Sequence, residues 1–546
     1  MVSFHHPALP LAALAVLVAV AHGATLQLGR TTLTGLDIPT FGQELFGGIP
    51  FAEPPLAEKR FLPPILKTTL SEKTFDASKF GPACLQAGTA QGAMSEDCLT
   101  INVLRPAGTP SHARLPVMFW TYGGGFQEGQ SSIYNGSAIV AQSVLRGTPV
   151  IYVNFNYRLG PLGFPQGHEA DTRGALNLGM KDQLAALEWV QANIGTFGGD
   201  KSKVMVFGES AGAIMTALLF LNSPITRLAR AAIFESGSPS TSALFTPERR
   251  EISWQNFVGG VPSCAALTKS RSTFSCLRKA SSNEILAGFN ASIALADEEF
   301  PWDPVLDGPT GLIPDLPSVL FKRGHFAKLP FMAGTNLDEG TIFTPTNLLS
   351  PEELQAEISS LFTPSAAPAV LNSSIAKVLE LYPDNPSLGS PFGTGNQTFG
   401  LSPQFKRAAA IIGDVDFLAP RRQWVAAAAS HEVPTFVYHF TEPQPEDPPS
   451  FGVPHGSEIL WVYGAPADPA PTAVALSRIM TDYWISFATS LTPNDGLGVP
   501  KPAWTQWTPK NKAAIQLDGA NLTMVPDNFR GAQTDFFNSD PTIWRH

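Results

Sequence analysis

The segment Gly208-Glu209-Ser210-Ala211-Gly212 has the pattern G-x-S-x-G, which could expose a nucleophilic serine. A β-branched and apolar run at 204–207 precedes the pattern, and a strongly apolar run at 211–221 follows it. This order predicts a strand, a tight turn and a helix, the setting of a nucleophile elbow. Side chains at the two glycines of such a turn would collide with neighbouring backbone. The serine hydroxyl would then lie above the sheet at a helix N-terminus, where the helix dipole favours developing negative charge.

A serine that attacks a carbonyl group needs backbone N–H groups that bind the resulting oxyanion. One donor would be Ala211, directly after the serine. The glycine-rich segment Tyr122-Gly123-Gly124-Gly125-Phe126 follows a predicted strand at 117–121 and could supply others, because glycine lets the backbone approach a substrate closely. The alternative is a phosphate-binding loop. That would need a following Lys, Ser or Thr, or a G-x-G-x-x-G pattern, and the segment has neither.

The general base is expected to be a histidine, and position along the chain selects His455 among the ten histidines. In a fold of this kind the order is serine, acid, histidine, so the base lies late in the chain. His439 lies inside a predicted strand at 435–440, and His431 precedes that strand. His455 lies in the loop 452–456 after the strand, at the sheet edge where such folds place catalytic groups.

The third group should be a carboxylate between Ser210 and His455, directly after a strand. A predicted buried strand at 330–333 is followed by a loop that contains Asp338 and Glu339. Either carboxylate could orient the imidazole, and their spacing does not choose between them. The alternative is that both are solvated loop residues that cap the next helix.

Strands that alternate with helices would position these groups. Apolar runs at 150–157 and 231–234 predict further strands, and apolar residues at helical spacing predict a helix over 182–194. This alternation predicts an α/β fold with a mostly parallel sheet covered by helices on both faces. A length of 546 residues would suggest about three or four domains. No repeat or polar linker divides residues 24–546, so we expect one large domain with insertions.

The composition excludes several classes of protein. With 44% apolar residues the chain is not disordered, and 46 acidic against 36 basic residues give a net charge of −10 without any basic run for nucleic acid. The longest apolar stretch, 8–21, is too short to span a bilayer, which takes about 20 residues. We predict a secretory signal peptide over 1–23, cleaved after Gly23 or, as second choice, after Ala21, rather than a buried N-terminal helix.

Secretion would place the four cysteines in an oxidising compartment, where an even number favours two disulfides. The cysteines are Cys84, Cys98, Cys264 and Cys276. Of the three connectivities, pairing of neighbours closes two short loops. No Cys/His cluster indicates a metal site, so none is predicted. Five N-x-S/T sequons are candidate glycosylation sites, at Asn135, Asn290, Asn372, Asn396 and Asn521.

The ordered motifs resemble the type B carboxylesterase/lipase family, which also includes the cholinesterases, and within it the fungal esterase and lipase branch. The resemblance covers essentially all of residues 24–546. Besides the serine motif it rests on the segments 48–55, 60–61, 96–103, 156–158, 179–199, 304–308, 338–340 and 455–458.

The resemblance implies an α/β-hydrolase fold and a Ser–Glu–His triad. The matching positions are Ser210, Glu339 and His455, so analogy rather than spacing selects the glutamate. It also implies three oxyanion-hole donors, the N–H groups of Gly124, Gly125 and Ala211. Two short-range disulfides are implied as well, in agreement with the neighbour pairing, and no cofactor or metal. Two ion pairs would be structural, Arg60–Glu96 and Arg158–Asp182.

Two departures from the family concern the loop 85–97 between the first two cysteines. In cholinesterase-like members this loop carries a Trp that binds the choline cation, whereas its 13 residues here include no aromatic side chain. A cation–π site for choline is therefore not expected there. Fungal lipases of the family carry a long amphipathic lid in the same loop, and here the loop is short with few apolar side chains. Soluble esters are therefore favoured over a lipid surface.

The sequence thus predicts a secreted, extracellular serine carboxylesterase that acts on a small or lipid-like ester through an acyl-enzyme. Lipase, sterol esterase and feruloyl esterase are the alternatives within this class. A catalytically silent adhesion or binding protein on the same fold is the alternative outside it. Neither nucleic-acid binding nor stable membrane insertion is predicted.

Overall fold

The computed structural model describes residues 23–88 and 92–546, and its strands are numbered here along the chain. They are β1 (Thr25–Leu28), β2 (Thr31–Thr34), β3 (Leu36–Ile38), β4 (Gln43–Pro50), β5 (Thr74–Asp76), β6 (Ala83–Cys84), β7 (Met94–Ser95), β8 (Thr100–Pro106), β9 (Leu115–Thr121), β10 (Ile151–Phe155), β11 (Gly199–Glu209), β12 (Ala231–Glu235), β13 (Phe331–Asn336), β14 (Thr435–Phe440), β15 (Ala513–Leu517) and β16 (Thr523–Pro526). Within these residues eleven strands form one sheet, in the order β16-β15-β14-β13-β12-β11-β9-β10-β8-β4-β3.

The helices alternate with these strands. They are α1 (Ser137–Leu145), α2 (Gly160–Gly163), α3 (Gly167–Thr172), α4 (Leu178–Asn193), α5 (Ala211–Asn222), α6 (Ile225–Leu228), α7 (Glu251–Gly259), α8 (Phe274–Leu277), α9 (Ser282–Ala294), α10 (Pro317–Lys322), α11 (Pro351–Phe362), α12 (Pro368–Leu381), α13 (Phe405–Ile412), α14 (Ala419–Ser430), α15 (Ile459–Val462), α16 (Pro471–Ser490) and α17 (Gly531–Ser539). A short π-helical turn, Gly413–Leu418, joins α13 to α14.

The centre of the large sheet is parallel. Strands β10, β9, β11, β12, β13, β14 and β15 pair with their neighbours in parallel, whereas β8, β4 and β3 at one edge and β16 at the other pair antiparallel. Every residue of β10, β12 and β13 is buried, since helices cover both faces. Strands in that position are mostly apolar, which is why their sequences are recognisable. The predicted α/β fold is confirmed.

Helices α4 and α5 pack on the large sheet, and α5 follows the turn of the G-x-S-x-G segment. Helix α5 begins directly after the serine of the G-x-S-x-G segment and packs against β11 and β12. Helix α4 is the helix predicted over 182–194 and begins earlier, at Leu178. Its buried residues surround the helix and are not confined to one face, because it packs against α2, α5 and α6 as well as β11.

Two apolar clusters lie outside the main core. One includes Phe61, Trp254 and Trp302, and the other contains Leu354 and Trp544. Each buries the apolar side chains of segments inserted between the sheet strands. The four cysteines form the disulfides Cys84–Cys98 and Cys264–Cys276, the pairing of neighbours along the chain.

Two buried ion pairs hold loops near the carboxyl edge of the sheet. The guanidinium of Arg60 donates to Glu96 at 2.6 and 2.5 Å, next to the Cys84–Cys98 disulfide. Arg158 donates to Asp182 through Nε at 2.8 Å, through Nη2 at 2.6 Å and through its backbone N–H at 3.1 Å. Both pairs were predicted from the resemblance.

The Arg158–Asp182 pair gives a stability prediction. Replacing Asp182 by alanine leaves the guanidinium buried without its partner, and breaking a buried pair in this way costs about 3–5 kcal/mol. We expect a lower midpoint in urea unfolding followed by tryptophan fluorescence. The exposed pair between Lys377 and Glu380 is the control, since Glu380→Gln should change the midpoint far less. Equal shifts in the two variants would contradict the prediction.

The asparagines of all five sequons are exposed, and they lie on different parts of the surface. Asn135 and Asn396 lie in loops, Asn290 and Asn372 on helices, and Asn521 in the turn between β15 and β16. The predicted signal peptide lies outside the described residues except for its last residue, Gly23. In the part of the chain that is described, no helix is long and apolar enough to cross a membrane.

Candidate active site

The turn between β11 and α5 holds Ser210 in an unusual backbone conformation. Its φ of 54° and ψ of −130° lie outside the regions that L-residues normally adopt. The turn is closed by a hydrogen bond from the Ser210 N–H to the Glu235 carbonyl at 2.9 Å. A Cβ at Gly212 would overlap the carbonyl oxygen of Thr121, so only glycine fits there. The predicted strand–turn–helix arrangement is therefore present, and strain of this kind is typical of functional sites.

His455 and Glu339 meet at the same edge of the sheet. Glu339 follows β13, His455 lies in the loop after β14, and the imidazole Nδ1 is 2.6 Å from Glu339 Oε2. The other oxygen of Glu339 accepts hydrogen bonds from the Ser236 hydroxyl at 2.7 Å and the Asn336 N–H at 2.6 Å. The glutamate is thus fixed on one side while its second oxygen holds the imidazole.

The imidazole Nε2 faces a second carboxylate. It lies 3.1 Å from Oε1 of Glu209, the residue before Ser210. The Ser210 hydroxyl itself forms no hydrogen bond with a described residue, and Ser210 is partly exposed. The structure therefore brings His455 and Glu339 into direct contact, whereas no hydrogen bond among the described residues joins the Ser210 hydroxyl to either of them. Hydrogen bonds between a nucleophile and its base are often long until substrate binds.

The three predicted oxyanion donors lie in the glycine-rich segment and at the start of α5. Among the described residues, none accepts a hydrogen bond from the backbone N–H of Gly124, Gly125 or Ala211. Gly125 has a φ of +57°, and a Cβ there would overlap the ring of Phe300. The glycine loop is thus confined against an aromatic side chain, and its two N–H groups and that of Ala211 are not bonded to any described residue.

Three phenylalanines form a wall beside the imidazole. The ring centroids of Phe343 and Phe417 lie 5.0 and 4.7 Å from that of His455, and Phe300 packs on Phe343 at 6.0 Å. Phe300 comes from the long insertion between β12 and β13, and Phe417 from the π-helical turn. The wall offers apolar surface for one side of an ester.

Comparison with known proteins finds similarity over almost the whole chain. The family model described as "Carboxylesterase family" matches residues 24–537. The chain belongs to the carboxylesterase family.

Relatives of this carboxylesterase-family chain are similar along most of their length. Lipase 2 of Geotrichum candidum is 34% identical over 96% of this chain and 97% of that protein. Secreted lipase 1 of Botryotinia fuckeliana is 33% identical over 90% of this chain and 89% of its own. The crystal structure of Aspergillus niger EstA is 26% identical, covers 96% of this chain and 99% of its own, and has a TM-score of 0.83. This carboxylesterase-family chain is a carboxylic ester hydrolase of the α/β-hydrolase fold.

Sequence reasoning assigned no role to three further glutamates of this carboxylesterase-family site. Glu209, Glu235 and Glu458 are all buried. Burial raises the pKa of the Glu209 and Glu458 carboxyls, although the neighbouring His455 imidazolium opposes both shifts, and it raises the pKa of Glu235 well above its usual value. One sequence signal was available, since β11 and β12 each end at a glutamate that is followed by a serine, and the structure pairs those two glutamates.

These carboxylates make the histidine more basic. Burial disfavours the imidazolium of His455, but the carboxylates of Glu209 and Glu339 outweigh it and raise the pKa of His455 to about 9. A base with a raised pKa remains protonated over more of the neutral range. An activity that requires neutral His455 should therefore rise with pH through an acid limb that lies above the ordinary histidine pKa of about 6.5.

Removing the Glu209 charge tests this dependence. In Glu209→Gln the imidazolium loses an anion 3.1 Å away, so the His455 pKa falls and the acid limb of kcat/KM moves to lower pH by about one unit or more. The measurement is the pH profile of p-nitrophenyl ester hydrolysis. Glu128→Gln, an exposed change on the neighbouring loop, is the control. An acid limb that stays in place or moves upward would contradict the prediction.

Proposed function

We propose that this ester hydrolase is a secreted serine carboxylesterase with Ser210, Glu339 and His455 as its triad. The contact of 2.6 Å between His455 Nδ1 and Glu339 carries the proposal, because it orients the imidazole so that Nε2 faces Glu209, the residue before Ser210. The strained turn at Ser210 and the free N–H groups beside it support the same assignment.

In the first half of the reaction the Ser210 oxygen attacks the ester carbonyl carbon. His455 Nε2 takes the hydroxyl proton, and the imidazolium that forms is stabilised by the Glu339 carboxylate. The carbonyl oxygen becomes an oxyanion that accepts hydrogen bonds from the N–H groups of Gly124, Gly125 and Ala211. The proton on Nε2 then passes to the alkoxide, and the C–O bond to the alcohol breaks.

The second half repeats these steps with water. Water attacks the acyl-enzyme carbonyl while His455 Nε2 takes its proton, and the oxyanion occupies the same donors. Collapse of the intermediate releases the carboxylic acid and returns the proton to the Ser210 oxygen. No group other than these side chains and backbone donors is required.

Soluble esters are the substrates that the loop 85–97 favours. It is closed by the Cys84–Cys98 disulfide and has 13 residues, too few for a long amphipathic lid. The Phe300, Phe343 and Phe417 wall supplies apolar surface at the site itself. We therefore propose that activity follows the dissolved ester and not an ester–water interface.

A second candidate, lipase, is favoured by the relatives whose names include that activity. The deciding measurement is the hydrolysis rate of p-nitrophenyl and glycerol esters of increasing chain length, below and above their solubility limits. A smooth dependence on dissolved concentration supports the carboxylesterase. A jump in rate above the solubility limit would support the lipase. A preference for sterol or feruloyl esters would instead support a sterol esterase or a feruloyl esterase.

Labelling with a fluorophosphonate separates an enzyme from a silent binding protein on the same fold. The probe reacts only with an activated serine, so we expect one adduct, on the peptide that contains Ser210. The His455→Ala variant is the control, because without a general base the same serine should label far more slowly. Absence of the adduct in the unmodified protein would support the binding protein.

We also propose that residues 1–23 are a signal peptide and that 24–546 form one catalytic domain that carries glycans. The two disulfides and the exposed sequons support secretion. Expressed in a fungal host, the protein should appear in the medium with Ala24 as its first residue. Enzymatic removal of N-glycans should increase its electrophoretic mobility. Retention in the cell with residue 1 intact would contradict the proposal.

A further inference from the structure

Asp338, the residue before Glu339, is buried and turned toward the histidine loop. Its Oδ2 accepts a hydrogen bond from the backbone N–H of Val453 at 2.9 Å. Its own backbone N–H donates to the Val453 carbonyl at 3.0 Å. Two reciprocal hydrogen bonds therefore join the residue before the proposed acid to a residue two positions before His455.

The second oxygen of Asp338 holds a different segment. Oδ1 accepts hydrogen bonds from the Ser390 hydroxyl at 2.7 Å and the Phe392 N–H at 2.8 Å. Asp338 is only 2% exposed. Burial raises the pKa of its carboxyl, while the three donors and the nearby Lys406 ammonium favour the anion. Hydrogen bonds to a buried carboxylate are stronger than those between neutral groups.

The histidine loop has no room to move toward Asp338. Gly452 has a φ of +67°, and a Cβ there would overlap Asp338 Oδ2 and lie 2.7 Å from Pro391 Cβ. Pro454 separates Val453 from His455, and its ring fixes φ near about −65°. Because Pro454 is conformationally restricted, a displacement of Val453 would also displace His455.

We propose that Asp338 is a positioning residue, which fixes the loop 452–455 so that the imidazole of His455 stays on Glu339 and remains aligned with Ser210. Asp338 touches no reacting atom. The two adjacent acids therefore have different roles. Glu339 binds the imidazole of His455, and Asp338 binds the backbone of the loop that contains His455. This inference rests on the triad proposed above.

The test compares Asp338→Asn with Ser390→Ala. The amide has one acceptor oxygen, so it cannot accept from both Val453 and the Ser390 side, whereas Ser390→Ala keeps both bonds to Val453. We expect kcat per active site, counted by fluorophosphonate titration, to fall by about tenfold or more in Asp338→Asn, with KM within about threefold. In Ser390→Ala, kcat should stay within about threefold of the unmodified enzyme.

A purely structural role would lower the yield or melting temperature of both variants without changing kcat per titrated site. The acid limb of the pH profile provides a second readout, since an imidazole that is less firmly held by Glu339 has a lower pKa. We expect this limb to move to lower pH in Asp338→Asn only. An unchanged kcat per site, or an equal fall in Ser390→Ala, would overturn the proposal.

Gly452→Ala keeps the proposal testable if Asp338→Asn does not fold. The added methyl group would overlap Asp338 Oδ2 and displace the loop away from Asp338, so the same loss of kcat at nearly constant KM is expected, and normal kcat per site overturns the proposal. Ser210→Ala distinguishes the two levels of inference. If it is inactive while Asp338→Asn turns over normally, only the positioning role fails. If it stays active, the triad fails as well.

Discussion

Replacing Ser210 by alanine is expected to lower kcat/KM for p-nitrophenyl esters by about 10⁴-fold or more, because no other group forms the acyl-enzyme. The fold should be retained. The Ser210 hydroxyl has no hydrogen bond to a described residue, and alanine keeps the backbone bond to the Glu235 carbonyl. The measurements are initial rates of ester hydrolysis and the circular dichroism of the same preparation.

The control for this variant is Ser430→Ala, an exposed serine at the end of α14. It should hydrolyse esters at the rate of the unmodified enzyme. That result would exclude loss of activity during purification as the cause of the effect in Ser210→Ala. Residual activity within tenfold of the unmodified enzyme in Ser210→Ala would remove the serine from the mechanism.

Replacing Glu339 by glutamine is expected to lower kcat by about 10³–10⁴-fold with little change in KM. Its Oε1 accepts from Ser236 and Asn336, so an amide oxygen would take that position and the NH₂ group would face His455 Nδ1. Nδ1 would then have to accept, which places the imidazole proton on Nε2. In that tautomer the histidine cannot take the Ser210 proton, and the imidazolium has also lost its counter-charge.

The measurement is kcat as a function of pH, since the loss should persist across the whole profile. Glu352→Gln, an exposed change in the first turn of α11, is the control and should leave kcat unchanged. A loss smaller than about tenfold would mean that Glu339 is not the acid that orients His455.

The central strands were predictable because each is buried on both faces. The predicted strand over 435–440 is β14 with the same bounds, and the predicted strand at 231–234 is β12 with one residue added. The edges of the sheet lacked such signals. Strand β3 has no buried residue and β16 has none, so neither carries an apolar run that sequence reasoning could detect.

The positions of Ser210 in a strand–helix turn and of His455 in the loop after β14 were predictable, because the motif and the order along the chain indicate them. Which of Asp338 and Glu339 contacts His455 was not, because adjacent side chains after a strand point in directions that the surrounding loops decide. The contact between Glu209 and His455 was also hidden. It joins residues far apart in the sequence, and a glutamate within G-x-S-x-G carries no sign that it will be buried.

The order of strands in the central sheet bears on how the protein is synthesised. Strands β11, β12, β13, β14 and β15 are consecutive along the chain and also adjacent in the sheet. A chain emerging from the ribosome can therefore add each strand to the one made just before it. Until β15 and β16 arrive, the growing sheet presents a bare edge of unpaired N–H and C=O groups, which is prone to aggregation. Chaperone demand should thus be greatest during translation of the long insertions between β12 and β15.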